Sequence, residues 1–167
     1  MADTIDYVFY DEATFSTVAV TEHQLFATAL GSANRTRFVT NSPGASQLQN
    51  SQSFEIFCIK TWVDSIEIIA DLEELYLGAY LRLNVANKEM LQIPLVLCFG
   101  AGGFQGEYHE ATNTLSRLIN TAGDGFNLMI PIKIPQGGQF ELYLGQNNAI
   151  ANATQVKLAL IGKLTRQ

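Results

Sequence analysis

Alternation of apolar and polar positions is the strongest signal in the chain. Phe126, Leu128, Ile130, Ile132 and Ile134 fall on one side of an extended segment, and Asn127, Met129, Pro131, Lys133 and Pro135 on the other. This two-residue period belongs to a strand with one face in a core. Pro131 has no N–H to give a ladder, so its side of the strand belongs at a sheet edge or a bulge. After the turn signal Gln136-Gly-Gly138 the period resumes in Phe140, Leu142 and Leu144 against Glu141 and Tyr143, so residues 126–145 read as a β-hairpin. The last run repeats it, with Val156, Leu158, Leu160 and Leu164 inward and Lys157, Lys163 and Thr165 outward.

Upstream, strict alternation makes Phe54–Val63 apolar on both sides: Phe54, Ile56, Cys58 and Trp62 on one, Phe57, Ile59 and Val63 on the other. Such a strand is expected to be covered twice, once by its own sandwich and once by something else, for which a neighbouring subunit is one candidate. Gly78–Ala86 and Ile93–Phe99 supply two further strands, with shorter candidates at Phe15–Val20, Leu25–Leu30 and Arg37–Thr40. Asp71–Leu77 reads as a helical turn with Asp71 as N-cap, Glu73 and Glu74 in its first turn and Gly78 closing it. Gly100–Gly125 reads as a long loop rich in Gly, Asn and Thr, with Leu115–Ile119 as a short element inside it. No linker, low-complexity segment or repeat interrupts the chain, so residues 1–167 read as one all-β antiparallel sandwich with one short helix.

Composition sharpens this picture. Of 167 residues 47% are hydrophobic and 16% charged, which excludes a disordered chain and leaves few charges to cover the surface. An outer surface of that kind suits subunits that bury faces against copies of themselves. The net charge is −6 and no basic tract occurs, which argues against a nucleic-acid groove or an anionic-membrane patch. Met1–Asp6 has neither the basic nor the apolar region of a secretory signal, so cytoplasmic synthesis is expected. The apolar stretch Leu91–Phe104 falls short of the roughly 20 residues that span a bilayer and is broken by Pro94 and glycines, so it reads as a buried strand and a loop. Cys58 and Cys98 sit in apolar runs and read as small hydrophobes rather than a disulfide. Asn34-Arg-Thr36 and Asn152-Ala-Thr154 would matter only in a secretory pathway.

Residues suited to catalysis are sparse. Glu107-Tyr-His-Glu110 places Glu107 and His109 on one side of an extended segment, as two metal ligands require, but no further His, Asp or Glu cluster completes a site. His23 reads as a surface residue at a strand entrance. Gly100-Ala-Gly-Gly-Phe-Gln-Gly106 follows a strand, yet no helix-forming run follows it to hold a phosphate. Glu55, Glu67, Glu73, Glu74 and Glu141 show no spacing that selects a glycosidase pair. No enzyme activity, metal or cofactor is therefore expected. Tyr7, Phe9, Tyr10 and Phe15 among Asp3, Asp6, Asp11 and Glu12 make residues 1–20 either an arm that docks on a neighbouring subunit or a local strand. Together with Phe57, Ile59 and Trp62 these four aromatics are the interface candidates. On the arm reading, removing residues 1–12 leaves a folded subunit that assembles poorly, while removing residues 156–167 deletes a core strand.

The order of these features resembles the single jelly-roll structural proteins of bacteriophage virions. The residues that carry it are Phe38-Val-Thr-Asn41, Gly44–Leu48, Ser53-Phe-Glu-Ile-Phe-Cys-Ile59, Ile130-Pro-Ile-Lys-Ile-Pro-Gln136, Phe140-Glu-Leu-Tyr-Leu144 and Val156-Lys-Leu-Ala-Leu-Ile-Gly162. The resemblance implies a capsid subunit of eight strands in two facing sheets. It implies a homo-oligomer that works by self-association beside other virion structural proteins, without catalysis or cofactor, and that resides in the virion after synthesis in the host cytoplasm. Capsid proteins that touch genome commonly carry a basic N-terminal arm, whereas Met1–Glu12 is acidic. Direct nucleic-acid binding is therefore not expected, and the shell is expected to sit over a membrane or another protein layer. The alternative on the same sandwich is a glycan- or receptor-binding module using the aromatics of Phe104–Tyr108.

Chelator should leave the melting temperature and the assembly state unchanged. A drop of many degrees on chelation would establish a metal bound by the native state, with Glu107 and His109 as its first ligands.

Overall fold

Every strand of the two main sheets finds its partner across the chain, or across a tight turn, in a strictly antiparallel ladder. A computed structural model describes residues 2–15, 17–18, 21–63, 66–99, 104–112, 114–120 and 125–167. The first sheet has the order β1 (Asp3–Phe15), β11 (Thr154–Arg166), β3 (Gln52–Val63) and β9 (Phe126–Ile134). The second has the order β2 (Thr21–Leu25), β10 (Phe140–Gln146), β5 (Ala79–Val85) and β6 (Lys88–Pro94). A small third sheet joins β4 (Ile66–Ile68), β8 (Thr114–Asn120) and β7 (Phe104–His109). Helix α1 (Ile69–Gly78) and a 3-10 turn at Leu95–Cys98 complete the described elements.

The inward faces of the two main sheets meet in one core. Phe9 and Phe54 pack edge to face at 4.9 Å, and Phe26 lies 5.5 Å from Phe140. Such aromatic pairs add roughly 0.5–1.5 kcal/mol beyond their area burial. Around them stand Phe15, Ile59, Leu81, Leu83, Leu142, Leu144, Leu158 and Leu160, all without solvent contact.

One inserted residue phases this core. Ile161 pairs with Cys58 and Gly162 with Ile56, so Phe57 is an extra residue in β3, a bulge in the middle of the sheet. Phe54 and Ile56 point inward before it; after it Ile59, Thr61 and Val63 point inward, and Phe57, Lys60 and Trp62 face out. The apparent two-sided greasiness of Phe54–Val63 is thus largely one buried face whose parity changes halfway. Gly162 is required opposite the bulge, because a Cβ there would lie 2.0 Å from the Glu55 carbonyl oxygen. On the other flank Ile132 pairs with Ile56 and Asn127 with Cys58, so Leu128–Pro131 bows out against Phe57 alone. Pro131 therefore occupies both an edge strand and a bulge, and Met129 and Ile130 protrude at 101% and 82% exposure.

Several expectations need correction. Residues 126–145 are not a hairpin: β9 joins the first sheet and β10 the second, with the turn at residues 135–139 carrying the chain across the sandwich. Alternation reports that a strand has one buried face, and it does so equally for strands side by side and strands face to face. Asp71 does not cap α1, which starts at Ile69. The buried Asp71 carboxylate instead accepts from the backbone N–H groups of Ala151 at 2.7 Å and Asn152 at 3.0 Å, fastening α1 to the loop before β11. Ile93–Phe99 is strand only to Pro94, since Leu95–Cys98 forms the 3-10 turn. Leu25–Leu30 stops at Leu25, where Phe26 takes the left-handed region at φ 58, and Arg37–Thr40 is a turn on the Thr36 carbonyl. Leu115–Ile119 lies within β8. The Phe15–Val20 candidate ends its strand at Phe15, and Ser16, Ala19 and Val20 lie outside the described residues.

The first residues are not a free arm. β1 pairs with β11 from Asp3 opposite Arg166 to Phe15 opposite Thr154, and Phe9 and Phe15 anchor it in the core. Removing residues 1–12 should therefore prevent cooperative folding rather than leave a folded subunit. Phe9→Ala in the intact chain should cost about 3–5 kcal/mol in urea unfolding. A truncated chain that melts like the intact one would show β1 to be dispensable.

Candidate functional site

The chemistry-bearing residues are scattered. His23 Nε2 lies 3.3 Å from Gln146 Oε1, and its ring tilts against Phe15 at 5.1 Å. Glu107 and His109 are exposed on β7, opposite Ser116 and Thr114. Among the described residues no three His, Cys, Asp or Glu side chains gather as a metal site would require. Glu55 and Glu141 belong to different sheets; Asn84 donates to Glu141 at 3.4 Å and Asn148 to Glu74 at 2.6 Å, Glu73 is exposed, and the Glu67 side chain lies outside the described residues. Cys58 and Cys98 are buried and not joined in a disulfide, and burial, with Cys58 nearby, pushes the Cys98 thiol up to about 12, where it is inert at neutral pH. Gly100–Gly103 lie outside the described residues.

The outer faces of the two main sheets differ in kind. On the second sheet Glu22 accepts from the Tyr80 hydroxyl at 2.7 Å and from Arg82 at 2.8 Å, while the Arg82 guanidinium lies 4.7 Å from the Tyr143 ring centroid. The bond to Glu22 raises the Tyr80 hydroxyl above its ordinary value, and burial does the same to Tyr143. Tyr80 lies over Gly145, where a Cβ would come within 2.0 Å of its ring. Glu22, Tyr80 and Arg82 on this face are thus engaged with one another.

The first sheet instead carries an apolar hollow of about 350 Å³ lined by Val8, Tyr10, Phe38, Val39, Trp62 and Ala159, with Arg37 and Lys157 at its sides. Its wall is the loop between β2 and β3, which several polar contacts, those of Asn41 and Asp11 among them, hold against β1. Asn41 receives the Tyr10 N–H at 2.9 Å and donates its amide to the Val8 carbonyl at 2.7 Å, so a side chain substitutes for a further strand on the open edge of β1. The buried Asp11 carboxylate accepts from the Phe26 N–H and from Arg35. The hollow continues as an apolar band across the sheet, from Val8 through Ile161 and Phe57 to the protruding Met129 and Ile130. Beside the band runs a row in register, Asp6, Lys163, Glu55 and Lys133. The Lys163 ammonium lies 5.7 Å from the Phe57 ring centroid.

Of the seven interface candidates, Tyr10 and Trp62 line the hollow and Phe57 belongs to the band. Tyr7 is half-buried with its ring edge-on to Phe9 at 4.9 Å. Phe9, Phe15 and Ile59 are core residues of the subunit itself: inward positions of β1 claim the first two, and the β3 bulge turns Ile59 inward. Alternation placed Ile130 on the inward face with Ile132 and Ile134, whereas it is 82% exposed at the β9 bulge; Phe38, 90% exposed, and Met129 were not among the interface candidates. An aromatic in a turn and a proline inside a strand were the available signals for them.

No protein-family model matches this chain, and a search of curated proteins finds no match.

Burial raises the Asp11 carboxyl above its ordinary 3.8, against the opposing effects of the Phe26 N–H and Arg35. The native state therefore holds this proton after the unfolded chain has released it. The contribution of Asp11 is fully present below pH 3.8 and is lost as the pH rises through the native value. Urea unfolding of the wild type and Asp11→Asn across this range should show the wild type losing stability relative to the variant as pH rises. Parallel curves would refute the assignment.

Proposed function

We propose that this chain is a bacteriophage virion structural protein, a single jelly-roll subunit of the shell or vertex that works by self-association. The observation that carries the reading is the pairing order. Numbered along the chain, the strands of the two main sheets pair first with eighth (β1·β11), second with seventh (β2·β10), third with sixth (β3·β9) and fourth with fifth (β5·β6). That is one long antiparallel ribbon; winding it on itself adds β11·β3 and β10·β5. A ribbon wound in this way is the plan of a jelly roll, which supports that reading of the sandwich. Function has to rest on surfaces rather than on the plan alone. Here the support is an apolar hollow and protrusion on one face, a low charged fraction, and the dispersal of the catalytic residue types.

Tyr108, 54% exposed on β7, favours a second reading as a glycan- or receptor-binding module. Light scattering and electron microscopy of the purified chain separate the two. The structural reading expects a defined assembly well above the 18.4 kDa of one chain. A sharp monomer mass at high micromolar concentration would overturn it, and saturable binding of a glycan fragment that is lost in Tyr108→Ala would establish the second.

A further inference from the structure

We infer that the outer face of the first sheet is a two-fold interface with a second copy of this chain, in which the Met129-Ile130 protrusion of each copy seats on the Val8–Phe38 hollow of the other. The inference deepens the self-association reading above and rests on it.

It follows from the order of charges across the sheet. Asp6 on β1, Lys163 on β11, Glu55 on β3 and Lys133 on β9 stand in register, so the row reads negative, positive, negative, positive. A row of this kind is antisymmetric. Let a second copy lie face to face with the first, related by a two-fold axis parallel to the strands and passing between β11 and β3. β1 then crosses β9 of the other copy, and β11 crosses β3. Each charge meets its opposite: Asp6 faces Lys133, and Lys163 faces Glu55. An isologous contact requires that self-complementarity.

The same operation acts on the apolar band. Rotation about an axis along the strands keeps each residue at its own level, and the Leu128–Pro131 bulge is at the level of Phe57, Ile161 and Val8. Met129 and Ile130 are therefore carried onto Val8 and the hollow beside Phe38, while Ile161 meets Phe57. Trp62, opposite Lys157 in the ladder, is carried onto Lys157 of the other copy, a cation–π arrangement. Size is in keeping with this: β11 and β3 have 13 and 12 residues, so the face measures roughly 40 by 19 Å, close to the ~800 Å² per partner of a standard interface.

Charge exchange tests the geometry. Asp6→Lys alone sets two lysines against each other across the interface, and Lys133→Glu alone sets two acids. Each should raise the dimer dissociation constant about tenfold, since every substitution counts twice in a symmetric contact. The double variant Asp6→Lys/Lys133→Glu should restore association. Within one chain these residues stand on opposite edges of the sheet, so rescue can come only from across the interface. Circular dichroism checks that each variant folds, and sedimentation equilibrium reads association. If the wild type is monomeric at high micromolar concentration, the self-association reading falls and this inference with it. If the wild type associates but both single variants do so equally well, or the double variant fails to recover, this interface is wrong while self-association stands.

Discussion

The sandwich depends on one extra residue at the centre of its first sheet. β3 is flanked by β11 and β9, and Phe57 enters it as a bulge, reversing which of its side chains face the core. Without that reversal Ile59 and Val63 would face solvent and Lys60 and Trp62 the interior. Burial of a large apolar side chain is worth roughly 1.5–3 kcal/mol, whereas an unpaired lysine ammonium in the interior costs far more. The neighbouring strands are fitted to the bulge. Gly162 leaves room for the Glu55 carbonyl, and β9 bows out where it passes Phe57. A feature that buries the core on one side thus builds the protrusion on the other.

This explains what could and could not be read along the chain. The regular alternation of Val156–Leu164 and of Phe140–Leu144 corresponds to β11 and β10 with the inward residues as expected. In β3 the same rule assigned Ile59 to the wrong face, because a one-residue insertion leaves every residue type in place and changes only its phase. The proline at 131 did disclose an irregular edge, since a missing N–H is a local property. Which sheet a strand joins is a property of the whole chain, and so the separation of β9 from β10 was hidden. Asp71 shows a third limit. Its type and position fit a helix cap, but its partners, Ala151 and Asn152, lie some eighty residues away.

The two outer faces divide the surface between finished and unfinished chemistry. On the second sheet Glu22 binds both Arg82 and Tyr80 within the subunit. On the first, rings and aliphatic groups stand beside a charge row whose order, rather than whose net value, carries information. Open edges are guarded as well: Asn41 occupies hydrogen-bonding groups of β1 at Val8 and Tyr10, and the bowed, proline-bearing β9 is a poor template for another strand. Association through the edges of the first sheet is thereby disfavoured.

The pairing of β1 with β11 also sets a clock on synthesis. Asp3 has no ladder partner until Arg166 has been made, and Val8 has none until Ile161. Closing so long a loop is slow, and contacts this distant in sequence form late. Until β11 has been made, the surface that joins Asp6, Lys163 and Glu55 does not exist, because one of its middle strands is missing. A chain interrupted before β11 therefore lacks this face altogether, together with the ladder partner of β1.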